Sequence, residues 1–134
     1  MIRSILLFVL IFIGQVSGQP IPLFETEVRI LVLDDDLLYV VVQINNNSQR
    51  IVTELEGFLT ELDPSVNIIS EREIVHIHTY ESPLKNGQTV IRGFTYPFDK
   101  VKDFRYGYHI SHIKFRNDPR VFAYSPIVGL IRIE

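Results

Sequence analysis

Leu37 to Ile44 reads LLYVVVQI and is followed at once by Asn45-Asn46-Asn47-Ser48. Eight residues rich in valine and isoleucine suit a pleated, buried strand. The Asn and Ser side chains bond their own backbone and tolerate left-handed geometry, so the strand is predicted to end in a tight turn. Upstream, Val28 to Leu33 (VRILVL) has the same character, and Asp34-Asp35-Asp36 separates the two runs as a solvated turn.

Downstream, Arg50 to Leu62 alternates Ile51, Thr53, Leu55, Gly57 and Leu59 with Val52, Glu54, Glu56, Phe58 and Thr60, the two-residue period of a strand. Glu and Leu also favour helices, which leaves a helix over Thr53 to Leu62 as the alternative. Asp63-Pro64 marks a turn and Val66 to Ile69 a short strand. Glu73 to Tyr80 (EIVHIHTY) alternates again, with Val75, Ile77 and Thr79 expected on the core side. The loop Ser82 to Gly87 ends in Asn-Gly, a strong hairpin signal. Gln88 to Phe98, Phe104 to Phe115 and Val121 to Ile133 complete the strands, with the last hairpin turning at Asn117-Asp118-Pro119. Seven or eight strands at roughly ten-residue spacing, with no crossover helices, predict an all-β, antiparallel β-sandwich of immunoglobulin-like or fibronectin-like layout.

The first eighteen residues are set apart from that domain. Met1-Ile2-Arg3-Ser4 is a short positive start, Ile5 to Ile13 an unbroken apolar run, and Gly14 to Gly18 a small, polar exit. This is the layout of a cleavable secretory signal peptide over 1–18, and the run is far shorter than the roughly 20 apolar residues of a membrane span. Cleavage leaves 19–134 as one luminal domain of 116 residues with no membrane span of its own. Its net charge goes from −3 to −4, because Arg3 is the only charge lost.

Composition narrows the function classes. The chain is 46% hydrophobic and 22% charged, enough for a packed core, and it has no Cys and no Trp. Its Lys and Arg are scattered without a basic face, which argues against nucleic acid as a partner. There is no thiolate for a disulfide, a nucleophile or a thiolate zinc site. No nucleophile elbow and no glycine-rich phosphate loop occurs, so no enzyme, catalytic residue or cofactor is expected.

His76 and His78 lie two apart on one strand and could share a metal with His109 or His112. In a regular strand His109 and His112 point to opposite faces, so only one could join. The favoured reading has no metal and four solvent-facing strand histidines. Asp34 to Asp36 lacks the glycine and oxygen count of a calcium loop. Asn46-Asn47-Ser48 is an N-x-S acceptor, which makes Asn46 a glycosylation candidate on its predicted turn. Phe94, Tyr96, Phe98, Phe104, Tyr106 and Tyr108 crowd into one third of the chain. They suit a binding face, though core packing explains alternating aromatics more simply.

From Leu37 onward the order of features resembles the luminal domain of the alpha subunit of the translocon-associated protein complex, the signal sequence receptor alpha subunit. The resemblance is carried by Tyr39 to Ser48, Ile51 to Leu59, Pro83 with Lys85 to Gln88, Arg92 to Phe98, Tyr106 to Ile113 and Val128 to Glu134. It implies a non-enzymatic protein of the endoplasmic reticulum lumen, beside the protein-conducting channel. Its partners are then the other translocon-associated subunits, the channel and nascent secretory chains. The family's acidic segment has no match between Gln19 and Thr26, where only Glu25 is acidic. Its membrane span and cytosolic tail have no match either, so the resemblance implies either a reduced version held by partners or a longer chain. A secreted β-sandwich binding or adhesion module is the alternative.

Overall fold

The computed structural model describes residues 21–99 and 103–134, so the leader at 1–18 lies outside the described residues. Among the described residues eight strands form: β1 (Phe24–Asp34), β2 (Leu37–Asn46), β3 (Val52–Leu62), β4 (Ile68–Ile77), β5 (Thr89–Pro97), β6 (Arg105–Phe115), β7 (Phe122–Ser125) and β8 (Gly129–Arg132). They make two antiparallel sheets, β1-β2-β5 and β4-β3-β6-β7-β8. The all-β sandwich is as expected, and no helix occurs among the described residues.

Strand β2 sets the pattern. Leu38, Val40, Val42 and Ile44 all point inward and are buried, each contributing about 1.5–3 kcal/mol relative to exposure. Opposite them β3 supplies Val52, Leu55 and Leu59, and β6 supplies Ile110, Ile113 and Phe115. The segment with helical alternatives is therefore a strand, because its period-two apolar face meets another sheet's apolar face. An aromatic cluster closes one flank, where Phe24 stacks on Phe115 at 6.4 Å and meets Tyr124 edge-on at 5.4 Å.

Three expectations need correcting. The short strand at Val66 to Ile69 and the strand at Glu73 to Tyr80 are one strand, β4, which begins at Ile68. Val66 belongs to the preceding turn with a left-handed φ of 66°. That turn is held by Asp63, whose Oδ1 accepts the backbone N–H groups of Ser65 and Asn67 at 2.9 Å each. Val121 to Ile133 is a hairpin, β7 and β8, turning through Pro126 to Gly129 with Gly129 at φ 89°.

The third correction concerns faces. The register slips in both neighbours of β3 at the same place: Leu55 and Glu56 oppose Ile77 and Val75, while Glu56 and Gly57 oppose His112 and Ile110. His76 and Ser111 are thus extra residues in two bulges that flank β3 on either side. Beyond a bulge the in-and-out alternation changes phase. Ile74, His76 and Ile77 are buried while Thr79 is exposed, so the core side is not the Val75, Ile77 and Thr79 face.

At one end of the sandwich Asp118 ties the β6–β7 turn to the β2–β3 turn, accepting from Arg120 at 2.7 Å and Arg50 at 3.0 Å. The Arg120 side chain, then its backbone, then Arg50 hold this carboxyl well below the usual range. The opposite end is formed by the β1–β2 and β3–β4 turns, the end of β5 and the start of β6.

Candidate functional site

The four histidines go to different surroundings. His76 is fully buried, with Nε2 2.7 Å from the Tyr108 hydroxyl. Burial first, and Arg92 second, lower its pKa to about 4, so the ring is neutral at physiological pH. Among the described residues its Nδ1 has no hydrogen-bond partner. It is not a solvent-facing histidine, because the bulge turns it into the core. His78 stays at the surface, stacked on Tyr80 at 4.9 Å and 3.7 Å from Glu81.

The bulge at Ser111 puts His109 and His112 on one outer face rather than on opposite faces. His109 stacks on Phe58 at 5.5 Å, and His112 lies 3.5 Å from both Glu54 and Glu56. Among the described residues no three His, Cys, Asp or Glu side chains gather as a metal ion requires.

Asn46 does not sit out on a turn. It is the last residue of β2, with no exposed surface. Its Nδ2 donates to the carbonyls of Arg50 at 2.9 Å and Leu84 at 3.0 Å, while Oδ1 accepts from the Ser48 N–H at 3.0 Å and the Ser48 hydroxyl at 2.6 Å. A glycan on Nδ2 would remove one of its two hydrogens and needs an open path. The folded position provides no such path, so Asn46 and Ser48 act as a brace between β2, the β2–β3 turn and the segment before β5.

The aromatic third divides between core and groove. Tyr96 is buried, and Phe94, Phe98, Tyr106 and Tyr108 pack against the core from partly exposed positions. At the end of the sandwich opposite Asp118 the two sheets part around a groove of about 160 Å³. Ile30 and Val32 of β1, Leu38, Pro97, Phe98, Phe104 and Tyr106 give it a mostly apolar lining, to which Asp99 and Asp103 also contribute. The acidic turn Asp34 to Asp36 lies at the same end, its Asp36 carbonyl accepting from the Phe98 N–H at 2.9 Å.

Behind the groove is a polar layer that the sequence did not announce. Glu61, buried on β3, accepts from the Tyr106 hydroxyl at 2.6 Å and the Ser70 hydroxyl at 3.2 Å. Tyr96 lies 5.1 Å from the Tyr106 ring, and the Arg72 guanidinium covers Tyr96 at 4.8 Å and Phe94 at 5.0 Å. Burial raises both phenols, and the hydrogen bond to Glu61 raises Tyr106 further. Both therefore stay protonated, as hydrogen-bond donors and ring surfaces. The buried Tyr96 hydroxyl has no partner among the described residues and is a donor open to a bound water or carbonyl. Period-two spacing alone would have found Glu61, since it shares the inward face with Leu55 and Leu59.

No protein-family model matches the chain, and no curated protein does. Among solved structures the chain is similar to the crystal structure of a Bordetella pertussis protein assigned as ApaA, with a TM-score of 0.52 and 14% identity. The match covers 85% of this chain and 94% of that one. The likeness shows the sandwich fold, and at this identity it shows the fold alone.

Proposed function

We propose that the chain is a non-enzymatic binding subunit of the endoplasmic reticulum lumen that stands beside the protein-conducting channel and helps secretory precursors to insert or cross. The binding part of this reading is carried by one observation. The groove between β1, β5 and the start of β6 is lined mostly by apolar side chains, a form suited to an extended apolar segment of a partner. The luminal part is supported by the leader-like residues 1–18 and by the order of strands and turns from Leu37 to Glu134 that resembles the translocon-associated alpha subunit. The other translocon-associated subunits and the channel are then its partners. A secreted binding module would use the same groove and differs in where the protein ends up.

Photocrosslinking in microsomes tests the groove. A benzophenone side chain replacing Phe98 is expected to yield adducts with channel or translocon-associated subunits, and one replacing Tyr80, at the far end of the sandwich, is expected to yield none. Adducts at neither position, or equally at both, would contradict a groove-directed role.

A further inference from the structure

Strand β1 is the edge of the three-stranded sheet and, among the described residues, pairs only with β2. Its outer row of N–H and C=O groups is a template for another strand. Native edges of this kind are usually blocked by Lys, Pro or a bulge. Between Phe24 and Asp34 there is no Lys or Pro, and the one register slip comes at the very end, between Val32 and Asp34. Ile30, Leu31, Val32 and Leu33 are 46–62% exposed, an apolar run standing at an open edge.

The charges select the occupant. When two identical strands pair antiparallel about a two-fold axis, side chains keep their faces, so each possible register is centred on one residue. Centring on Glu27 sets Glu27 against itself, and centring on Arg29 sets Arg29 against itself. Centring on Ile30 leaves Arg29 opposite Leu31 with no ion pair. Centring on Val28 places Glu27 of each copy opposite Arg29 of the other, giving two ion pairs and no like-charge contact. The same register sets Val28 against Val28, Thr26 against Ile30 and Phe24 against Val32 on the inward face, and Leu23 against Leu33 on the outer face. Arg29 is already extended across the outer face, where Nη2 donates to Gln43 Oε1 at 3.0 Å.

We infer that two copies of the chain pair antiparallel through β1 in the register centred on Val28, joining their sheets into one of six strands, β5-β2-β1-β1-β2-β5. The inference goes beyond the proposed function and does not rest on it.

Sedimentation velocity on the purified full chain tests it. The chain is expected to show a concentration-dependent dimer. Arg29→Glu or Glu27→Arg alone, each placing like charges opposite one another twice, is expected to weaken the dimer roughly tenfold or more. Mixing the two single variants makes both cross-strand pairs opposite in charge again, as does the double variant Glu27→Arg/Arg29→Glu. Both are expected to recover the dimer, and that recovery also shows the variants are folded. A monomer at every concentration, or single variants whose defect is not repaired by mixing, would overturn the inference.

Discussion

The Nε2 atom of His76 lies 2.7 Å from the Tyr108 hydroxyl, joining β4 to β6 across the intervening strand β3. Their rings meet edge to face at 5.4 Å, and Tyr108 crosses directly over Gly57 of β3. The two strands that flank β3 can meet this way because β4 is bulged between Leu55 and Glu56 and β6 between Glu56 and Gly57. The Arg92 side chain adds the other sheet to the junction, its Nη2 donating to the His76 carbonyl at 2.7 Å and to Glu81 at 3.3 Å.

Stability is predicted to fall with acid through His76. Its folded pKa is depressed to about 4 from 6.5, so between those values the unfolded chain binds more protons than the folded one. The contribution is complete above 6.5 and is lost as pH falls toward 4, amounting to about 3 kcal/mol over the whole interval. Urea unfolding at pH 7, 6, 5 and 4 measures it. His76→Leu is expected to flatten this part of the profile, and an unchanged slope in that variant would assign the acid sensitivity to other groups.

Gly57 and Gly93 each lie beneath a tyrosine, and the two are predicted to differ in cost when changed to alanine. A Cβ on Gly57 meets Tyr108 and also the His109 carbonyl, which is backbone and cannot swing aside. Gly57→Ala is expected to cost about 2–4 kcal/mol. The three atoms nearest a Cβ on Gly93 all belong to the outer end of the Tyr39 side chain, which can yield more readily than backbone, so Gly93→Ala is expected to cost about 1 kcal/mol. Denaturant midpoints of the two variants compare them, and equal losses would contradict the difference assigned to the backbone contact.

Val66→Gly is predicted to stabilise the protein. Val66 is exposed and holds a φ of 66°, a left-handed conformation that costs a β-branched residue on the order of 1–2 kcal/mol. Glycine removes that cost while gaining unfolded-state entropy, for a net gain of about 0.5–1 kcal/mol. Thermal unfolding reads the sign, and a loss of stability would show that the Asp63 turn needs the valine side chain.

Asn46 is predicted to act as a structural brace with no glycan attached. Asn46→Ala removes both donors and the acceptor and takes one of two donors from the Leu84 carbonyl, which keeps the Val52 N–H at 2.9 Å, so a loss of about 2–4 kcal/mol is expected. The wild-type chain made in a glycosylating cell is expected to keep its gel mobility after endoglycosidase treatment. A shift on treatment would mean that the brace opens to admit a glycan.

The sandwich was legible in the sequence because strands such as Leu37 to Ile44 carry strong β composition and because Asn86-Gly87 and Asn117-Asp118 mark real turns. What was not legible follows from single extra residues. His76 and Ser111 look like ordinary members of alternating runs, and nothing in a period-two reading signals that each is a bulge. One extra residue in β4 moved His76 into the core, and another in β6 brought His109 and His112 to one face. Val66 looked like strand by composition, while the hydrogen bonds of Asp63 made it turn. The brace at Asn46 was hidden because one of its partners, Leu84, lies 38 residues along the chain and meets it only on folding. The groove likewise depends on how β1 and β6 part at one end, which no local pattern encodes.

The most direct test of the proposed role is affinity purification of the tagged full chain from mildly solubilised microsomes, with the culture medium assayed in parallel. Co-purification of channel and translocon-associated subunits, with none of the chain in the medium, is the predicted result. Release into the medium without those partners would contradict the luminal role and leave a secreted binding module.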